Sequence, residues 1–293
     1  MRYSNVAMRY SNVVNMKEAN IVLLGVPDES KSKAPRRGTK NGPNQLRKAL
    51  FSSENFKRSG QLIPICPMKG DLFTKKVFDI GNVKRNNLYC QIAKLISQQK
   101  VPIVIGGDHS ITTTNLHAIK MITKKKINLI YFDAHPDFVT STKDYYGSVV
   151  SDSLDCIDIK KSIFVGIRAC EPEELYNITK YGANIIDPMD VQEHGAQKIL
   201  KKITQTCINK NNNHIYISID LDCLDPAFAP GVSVPTPCGL NPLELTFFIK
   251  QILEQTKIIG CDIVELSPYF DINNITANLA ARLFKEILGS III

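Results

Sequence analysis

The sequence contains no tryptophan, and aromatic residues make up only 8% of the chain. Proteins that bind nucleic acid in a groove usually combine a basic stripe with interleaved aromatic side chains. Here the lysines are scattered or occur in short runs, such as 124–126, 160–161 and 201–202. Although the net charge is +8, such short runs are typical of solvated faces. Nucleic-acid binding is therefore not expected.

Long apolar runs and paired cysteine motifs are absent as well. No stretch reaches the roughly 20 apolar residues that a membrane helix needs, and the N-terminus lacks the apolar core of a signal peptide. The eight cysteines are widely spaced and form no CxxC pair, which disfavours a zinc ribbon or a redox motif. We expect free thiols in a reducing cytoplasm, with neither secretion nor membrane insertion.

What the sequence does contain is a regular alternation of apolar runs and helical patterns. The pattern predicts a parallel sheet with helices on both faces. No linker rich in Pro, Gly or Ser interrupts it, so we expect one domain over 19–293. The candidate strands are 21–26, 76–80, 102–105, 127–132, 162–167, 183–186, 214–219 and 258–265. The candidate helices are 44–51, 87–99, 110–123, 172–181, 196–209, 242–255 and 275–288.

The first 18 residues are expected to form a loose N-terminal extension. The segment MRYSNV occurs at 1–6 and again at 8–13, which is too short a duplication for a solenoid repeat. Met8 and Met16 are therefore candidates for an alternative start of the protein.

Two acidic clusters lie at the ends of predicted strands, one after 127–132 and one after 214–219. Alternate residues of an extended chain point the same way, so the side chains within each cluster can project together. Because parallel sheets bind ligands outside the carboxyl ends of their strands, we expect both clusters to face one crevice. Their members are Asp133, His135, Asp137, Asp220 and Asp222.

A third strand end carries the sequence GGDHS, at 106–110. Its glycines permit a tight turn, and Ser110 can cap the following helix. An isolated histidine is more often packed or solvated than a ligand, but the position of His109 at a third strand end favours a ligand. The candidate set then has two imidazoles and four carboxylates.

This donor set fits a pair of divalent cations better than one zinc ion, which takes about four protein ligands. Two such ions would balance four carboxylates, which would otherwise repel one another. The oxygen-rich donors favour manganese over zinc or copper. Aspartates that merely cap helices and turns could explain one member but not the whole set. Paired ions can activate a shared water towards an electrophilic carbon, so the sequence predicts hydrolysis.

A further carboxylate, Glu265, ends the last candidate strand within DIVELSP. It can be interpreted as an exposed charge at a strand end. Alternatively, it faces the same crevice and pairs with a planar cation through both oxygens. The second interpretation predicts a small cationic guanidino substrate.

The motifs GGDHS, DAHPD, SIDLDCLDPAFAPG and DIVELSP resemble, in type, order and spacing, those of the ureohydrolases, the arginase and agmatinase family. The resemblance covers roughly residues 20–290. It implies a single three-layer α/β domain with a mostly parallel eight-stranded sheet, assembled as trimers or hexamers. It also implies two manganese ions per chain. Their ligands would be His109, Asp133, His135, Asp137, Asp220 and Asp222, with Asp137 also orienting the attacking hydroxide and Glu265 holding the guanidinium.

The chain departs from the family pattern after the DAHPD motif, where members usually carry a histidine. No histidine occurs between Asp137 and His194, and Tyr146 or Asp152 stands in that place, depending on the alignment. Asp152 is accordingly a candidate substrate-binding residue, and His194, in a predicted loop, is an outside candidate for the histidine. Because a general acid contributes about 10²–10⁴-fold, its replacement would slow turnover or mark a different substrate.

Val139 stands where arginases carry an asparagine that recognises the amino-acid head of the substrate. This favours agmatine, whose hydrolysis gives urea and the polyamine precursor putrescine, over arginine, other guanidino acids or guanidine. Two further classes stay open, namely a metal-binding homologue with reduced or lost catalysis and a single-zinc deacetylase. Arg47 and Arg168 are given no catalytic role, and His117 and His214 are expected to be structural.

Overall fold

The computed structural model describes residues 15–52, 55–58, 61–64, 66–68, 75–208 and 214–293. Most of the expected extension over 1–18 lies outside the described residues, and so does Asn209, the expected end of one helix. In the described part of the chain, no helix is both long enough and apolar enough to cross a membrane.

Eight parallel strands form the central sheet, and a separate two-stranded hairpin accompanies it. Every predicted strand is found, with ends that differ by a few residues, whereas the hairpin β2–β3 was not predicted. The strands are β1 (Ile21–Gly25), β2 (Asn55–Arg58), β3 (Gln61–Pro64), β4 (Val77–Asn82), β5 (Val101–Ile105), β6 (Asn128–Phe132), β7 (Ile163–Val165), β8 (Asn184–Ile186), β9 (Ile215–Asp220) and β10 (Gly260–Val264).

The seven predicted helices are also present. An eighth, α5, was missed because it is short and mostly polar. The helices are α1 (Gly42–Ser52), α2 (Arg85–Ser97), α3 (Ile111–Thr123), α4 (Pro172–Tyr181), α5 (Pro188–His194), α6 (Ala196–Cys207), α7 (Pro242–Leu253) and α8 (Ile275–Ser290).

The sheet order is β4-β1-β5-β10-β9-β6-β7-β8, and the described residues form one α/β domain. Neighbouring strands run parallel throughout, for instance β9 with β6 and with β10. Parallel strands need crossover connections, and helices supply most of them here. The expectation of a three-layer α/β domain with an eight-stranded sheet is confirmed.

Helices cover both faces of the sheet, so its strands are apolar on both sides. Along β1, Ile21 and Leu23 join one core, whereas Val22 and Leu24 join the other. The first core is completed by α1 and by α5 to α8, and the second by α2, α3 and part of α4. With both faces covered, the ends of the strands are the part of the sheet that is left to form a site.

Candidate metal centre

Four neighbouring strands deliver the candidate residues to one edge of the sheet. In the order β5-β10-β9-β6, the GGDHS turn follows β5, Glu265 follows β10, Asp220 ends β9 and Asp133 follows β6. Since the strands are parallel, their carboxyl ends meet at this edge. Residues that are up to 156 positions apart in the chain thereby come into contact, as His109 does with Glu265.

One half of the centre surrounds His109. Its Nδ1 lies 3.0 Å from Oδ2 of Asp133, 3.1 Å from Oδ2 of Asp220 and 3.4 Å from Oδ2 of Asp137. The potential ligand atoms of His109, Asp133 and Asp220 all lie within 4.8 Å of one another. This trio has the spacing of ligands around a common ion.

The other half surrounds His135. Its Nδ1 lies 3.1 Å from Oδ2 of Asp222 and 3.4 Å from Oδ1 of Asp133. These three residues form a second trio with ligand atoms within 4.8 Å of one another. Asp133 belongs to both trios, so the two groups overlap. The structure thus brings together all six residues for which the sequence predicts metal ligation.

Burial and like charge disturb the titration of the aspartates. Burial, and then the Asp133 carboxylate, raises the pKa of Asp137 and of Asp222. Burial, and then Asp222, raises the pKa of Asp220. Burial also acts to raise the pKa of Asp133, but the neighbouring His109 and His135 imidazoles outweigh it and lower that pKa. Three carboxylates of the cluster therefore resist carrying their charges together.

The cluster also leaves one buried acceptor unsatisfied. Oδ2 of Asp133 has no hydrogen-bond partner among the described residues, although the side chain is fully buried. Leaving such an oxygen without a partner is costly. A divalent cation would provide the missing partner and would offset the repulsion among the carboxylates. The residues present therefore fit a pair of divalent cations.

A buried relay behind His109 fixes the orientation of its imidazole. The hydroxyl of Ser218 donates to Oδ1 of Asp262 at 2.6 Å, so its oxygen is free to accept from Nε2 of His109 at 2.8 Å. With Nε2–H donated to Ser218, Nδ1 is the nitrogen that faces the aspartates, and a cation bound there would replace its proton. Burial lowers the pKa of His109, but Asp133 and Asp220 outweigh it and hold that pKa well above its usual value.

The sequence interpretation missed this relay. Asp262 is completely buried in the middle of β10, where it also accepts from Tyr216 and Thr112. A charged residue inside an otherwise apolar strand was the signal that could have revealed it. Ser218 lies two residues before Asp220 on β9, so the alternation that predicts Asp220 as a ligand also places Ser218 on the same face of the sheet.

Arg168 holds the loops around His135. Its guanidinium donates to the carbonyl oxygens of Asp222 at 2.8 Å and Thr236 at 2.5 Å. Its backbone N–H donates to Ala134 within DAHPD at 2.8 Å. The remaining acceptors are the carbonyl oxygens of Gly166, Cys223, Leu224 and Pro237. Arg168 therefore joins the DAHPD motif, the segment 222–224 and the segment 236–237, which meet at the His135 trio.

Two candidate residues have strained backbone conformations. The φ angle is 46° at Asp137 and 64° at Glu265, in the left-handed region that non-glycine residues seldom adopt. Such conformations cost about 1–3 kcal/mol each and persist where the surroundings enforce them, often at functional sites. The strain supports a functional interpretation of both positions.

Glu265 lies beside the first trio and is 2% exposed. Its Oε1 accepts from the backbone N–H of His109 at 2.8 Å, and Ser233 donates to its Oε2. Burial, and then the charge of Asp108, raises the pKa of Glu265 to about 8. The exposed strand-end interpretation is wrong, because this carboxylate is buried and fixed at both oxygens.

The loop after DAHPD brings Tyr146 towards the cluster. Burial raises the pKa of Tyr146 to about 12, and the charges of Asp137 and Glu265 contribute to the rise, while His135 opposes it. The phenol therefore lies in the electrostatic field of three site residues that follow two different strands. The backbone nearby is held by a bond from Val150 N–H to Asp137 O, at 3.0 Å.

Asp152, the other candidate for this position, is engaged within the loop. Its Oδ2 accepts from the backbone N–H of Asp144 at 2.7 Å and from the hydroxyl of Ser148 at 2.6 Å. These contacts favour a bracing role, and substrate binding by Asp152 stays a prediction. The prediction of a loop at His194 is wrong, since this exposed residue ends α5.

Fold and site together define the class of α/β proteins that gather carboxylates and histidines at the ends of parallel strands. A sequence model of the arginase family matches residues 19–289, and the chain belongs to that family. The predicted resemblance to ureohydrolases, and to agmatinases in particular, is thereby confirmed.

Individual relatives and solved structures agree with this assignment. The agmatinase of Blochmanniella floridana is 31% identical, over 91% of this chain and 86% of its own length. The mitochondrial guanidino acid hydrolase of Homo sapiens is 30% identical, over 91% and 76%. The crystal structure of the agmatine ureohydrolase of Thermoplasma volcanium superposes with a TM-score of 0.79 at 29% identity, covering 94% of this chain and 92% of its own.

Proposed function

We propose that the protein hydrolyses agmatine to putrescine and urea and that it works with two manganese ions per chain. The observation that carries the proposal is the pair of His/Asp trios that share Asp133 and lie beside the buried Glu265. Agmatinases among the relatives support the choice of substrate. The absence of an asparagine at Val139 supports it as well.

The His109 trio would hold one ion and the His135 trio the other, with Asp137 as a further ligand. When bound, two divalent ions activate a water at neutral pH and offset the charge of the carboxylates. Asp137 accepts a hydrogen bond from Tyr131 at 2.5 Å, which fixes its carboxylate for orienting that water.

Glu265 would bind the guanidinium of the substrate, whose positive charge would lower the pKa of this carboxyl from about 8 and so favour its ionised form. Its backbone strain and its two hydrogen-bonded partners hold the carboxylate in one orientation, which suits bidentate pairing with a planar cation. In the reaction, the water oxygen bonds to the guanidino carbon and the C–N bond to the alkyl chain breaks. The leaving amine takes a proton, and urea is released.

Tyr146 is the residue of the loop after DAHPD that we assign to the substrate. Its hydroxyl lies in the field of Asp137 and Glu265, and with a raised pKa it stays protonated at neutral pH. It can therefore donate a hydrogen bond to the reacting group, whereas Asp152 keeps the loop in place.

A substrate panel tests the proposal. The purified protein would be loaded with manganese and supplied with agmatine, arginine, guanidinobutyrate and guanidine, and urea would be measured. We expect agmatine to give the highest kcat/KM. Absence of urea from every compound would contradict the proposal and favour a metal-binding homologue without catalysis. Two ions per chain in the loaded protein would count against the single-zinc deacetylase.

A paired substitution separates the role of Glu265 from general damage to the core. We expect Glu265→Gln to abolish urea release while metal content stays the same. Glu286→Gln is the matched control, because Glu286 is a buried glutamate that pairs with Lys250 and Arg282. It should alter the melting temperature and leave the KM for agmatine unchanged.

We also propose that the protein acts in the cytoplasm as a homo-oligomer, a trimer or a hexamer. The resemblance to ureohydrolases supports both statements. Light scattering after size-exclusion chromatography would give the mass of the particle directly, and a monomer would contradict the second.

A further inference from the structure

A second group of metal-binding side chains lies outside the strand-end centre, where α3 faces the segment 151–156. Nε2 of His117 lies 3.9 Å from Oδ1 of Asp155, and Sγ of Cys156 lies 3.4 Å from the same oxygen. The ligand atoms of these three residues all lie within 4.8 Å of one another. The expectation that His117 is merely structural takes no account of this convergence.

A backbone oxygen adds a fourth donor. The carbonyl oxygen of Asp152 accepts a hydrogen bond from Nε2–H of His117 at 2.9 Å, and an ion bound between these two atoms would replace that proton. Around a tetrahedral zinc with bonds of about 2.0–2.3 Å, neighbouring donor atoms are separated by about 3.3–3.6 Å. The three separations given above, 2.9, 3.4 and 3.9 Å, depart from that range by about half an ångström or less. These separations are compatible with donor atoms that share one ion.

We propose that His117, Asp155 and Cys156 form a further metal site, which binds a borderline-soft divalent cation of the zinc class. The imidazole and the sulfur favour zinc or cobalt over manganese, because thiolates are soft ligands. The strand-end trios contain only histidine and aspartate. The two sites therefore prefer different metals.

Exposure gives the ion a path into this site. The side chains of His117 and Asp155 are 39% and 72% exposed, whereas Cys156 is buried behind them. An incoming cation meets the carboxylate and the imidazole first and then displaces the proton of the thiol. The occupied site would tie α3 to the segment that carries Asp152.

Cobalt provides a direct probe, because thiolate ligation to cobalt gives a charge-transfer absorption band in the near ultraviolet. Manganese-loaded protein would be titrated with cobalt chloride. We expect the band to appear and to be removed by zinc. Histidine and carboxylate ligands alone give no such band, so cobalt entering the strand-end centre would not produce it.

Substitutions assign the band to this site. Cys156→Ser should abolish it, and His117→Gln should weaken cobalt binding by about tenfold or more. Cys90→Ser is the control, because Cys90 is an exposed thiol on α2 and its loss should leave the band unchanged. No band in the manganese-loaded protein, or a band that persists in Cys156→Ser, overturns the proposal. The result does not depend on urea release.

Discussion

Asp133 is the single residue on which both halves of the candidate centre depend. Each of its oxygens faces a different histidine, with Oδ1 towards His135 and Oδ2 towards His109. A neutral amide of nearly the same shape keeps the packing but removes one negative charge and one acceptor. We therefore expect Asp133→Asn to weaken the binding of both ions.

The measurement is metal content after dialysis, together with urea release from agmatine. Metal should be lost from both halves, and turnover should fall by more than the roughly 100-fold that supporting residues cost. The unloaded variant should melt at a lower temperature than the unloaded wild type, because the Asp133 carboxylate that pairs with both histidines is gone. Full retention of two ions would contradict the shared role of Asp133.

Arg168 provides a second test at the residue scale. Lysine cannot donate to six carbonyl oxygens from a planar group, so the Asp222 loop and Thr236 would lose their connection in Arg168→Lys. We expect affinity for the ion at the His135 trio to fall about 10–100-fold, as for other supporting partners of metal ligands. The ion at the His109 trio should be retained.

Calorimetric titration with manganese would separate the two binding steps. Arg47→Lys is the control, since Arg47 is a buried arginine that pairs with Asp79 on β4. It should lower stability and leave both manganese affinities unchanged. If both variants lose the two ions equally, Arg168 has no specific positioning role.

Tyr146 carries the prediction that concerns turnover. A hydrogen bond to a charged group contributes about 1.5–3 kcal/mol, so Tyr146→Phe should lower kcat about 10- to 100-fold. The KM and the metal content should change little. Tyr146→His should recover activity, since histidine can also donate a proton.

Asp152→Ala separates the brace from the substrate contact. Loss of the bonds to Asp144 N–H and the Ser148 hydroxyl should loosen the loop and raise the KM more than it lowers kcat. Hydrogen exchange over 144–150 would report the loosening. If Asp152→Ala and Tyr146→Phe lower kcat equally and neither changes the KM, Asp152 would be a substrate contact.

At the scale of elements, the turn between β5 and α3 is fixed by close backbone contact. A methyl group at Gly107 would meet the carbonyl oxygen of Asp28, and the backbone N–H of Asp108 donates to that same oxygen at 3.0 Å. Gly107→Ala should therefore displace the turn that carries His109. The expected cost is about 1–3 kcal/mol of unfolding free energy, with weaker manganese binding.

Gly81→Ala is the comparison, because among the described residues no atom beyond its two chain neighbours lies within 4 Å of a methyl group placed there. It should destabilise the chain only through its left-handed backbone, where φ is 81°. Urea-induced unfolding with and without manganese would distinguish the variants. Equal manganese affinity in both would contradict the role given to Gly107.

The elements themselves were largely predictable, and the exceptions have physical causes. β7 ends at Val165 and not at 167, because Gly166 turns the chain with a φ of 100°. The helix α5 has seven residues and one buried side chain, Val191, so it offers no clear apolar period.

The candidate ligands could be predicted because two of their motifs alternate in an extended chain and all follow apolar strands. The relay through Asp262 could not, since it depends on packing between strands.

At the scale of the whole molecule, metal binding should control stability. Several buried carboxylates repel one another in the unloaded protein, and ions that bind only the folded state stabilise it in proportion to RT ln(1 + [L]/Kd). Manganese at a hundredfold excess over Kd should add about 2.7 kcal/mol for each site. We expect the melting temperature to fall on treatment with EDTA and to recover with manganese. An unchanged melting temperature would contradict the binding of two manganese ions at this site.

The order of the strands was the part of the fold that the sequence could not supply. Consecutive strands usually lie side by side, yet β5 and β6 are separated by β10 and β9. Nothing local in 101–132 signals that the last two strands of the chain fill the centre of the sheet.

This central placement affects how the protein can be made. When a ribosome has synthesised the chain up to α7, the strands β5, β6 and β9 are present. The strand β10, which lies between β5 and β9 in the sheet, has not yet been made. Until Gly260–Val264 emerges, no strand connects β5, which precedes the turn with His109, to the strands that carry the aspartates. Synthesis must therefore be nearly finished before the His109 trio can assemble, and fragments that stop short of β10 should be unable to bind an ion there, whereas the His135 trio needs only β6 and β9.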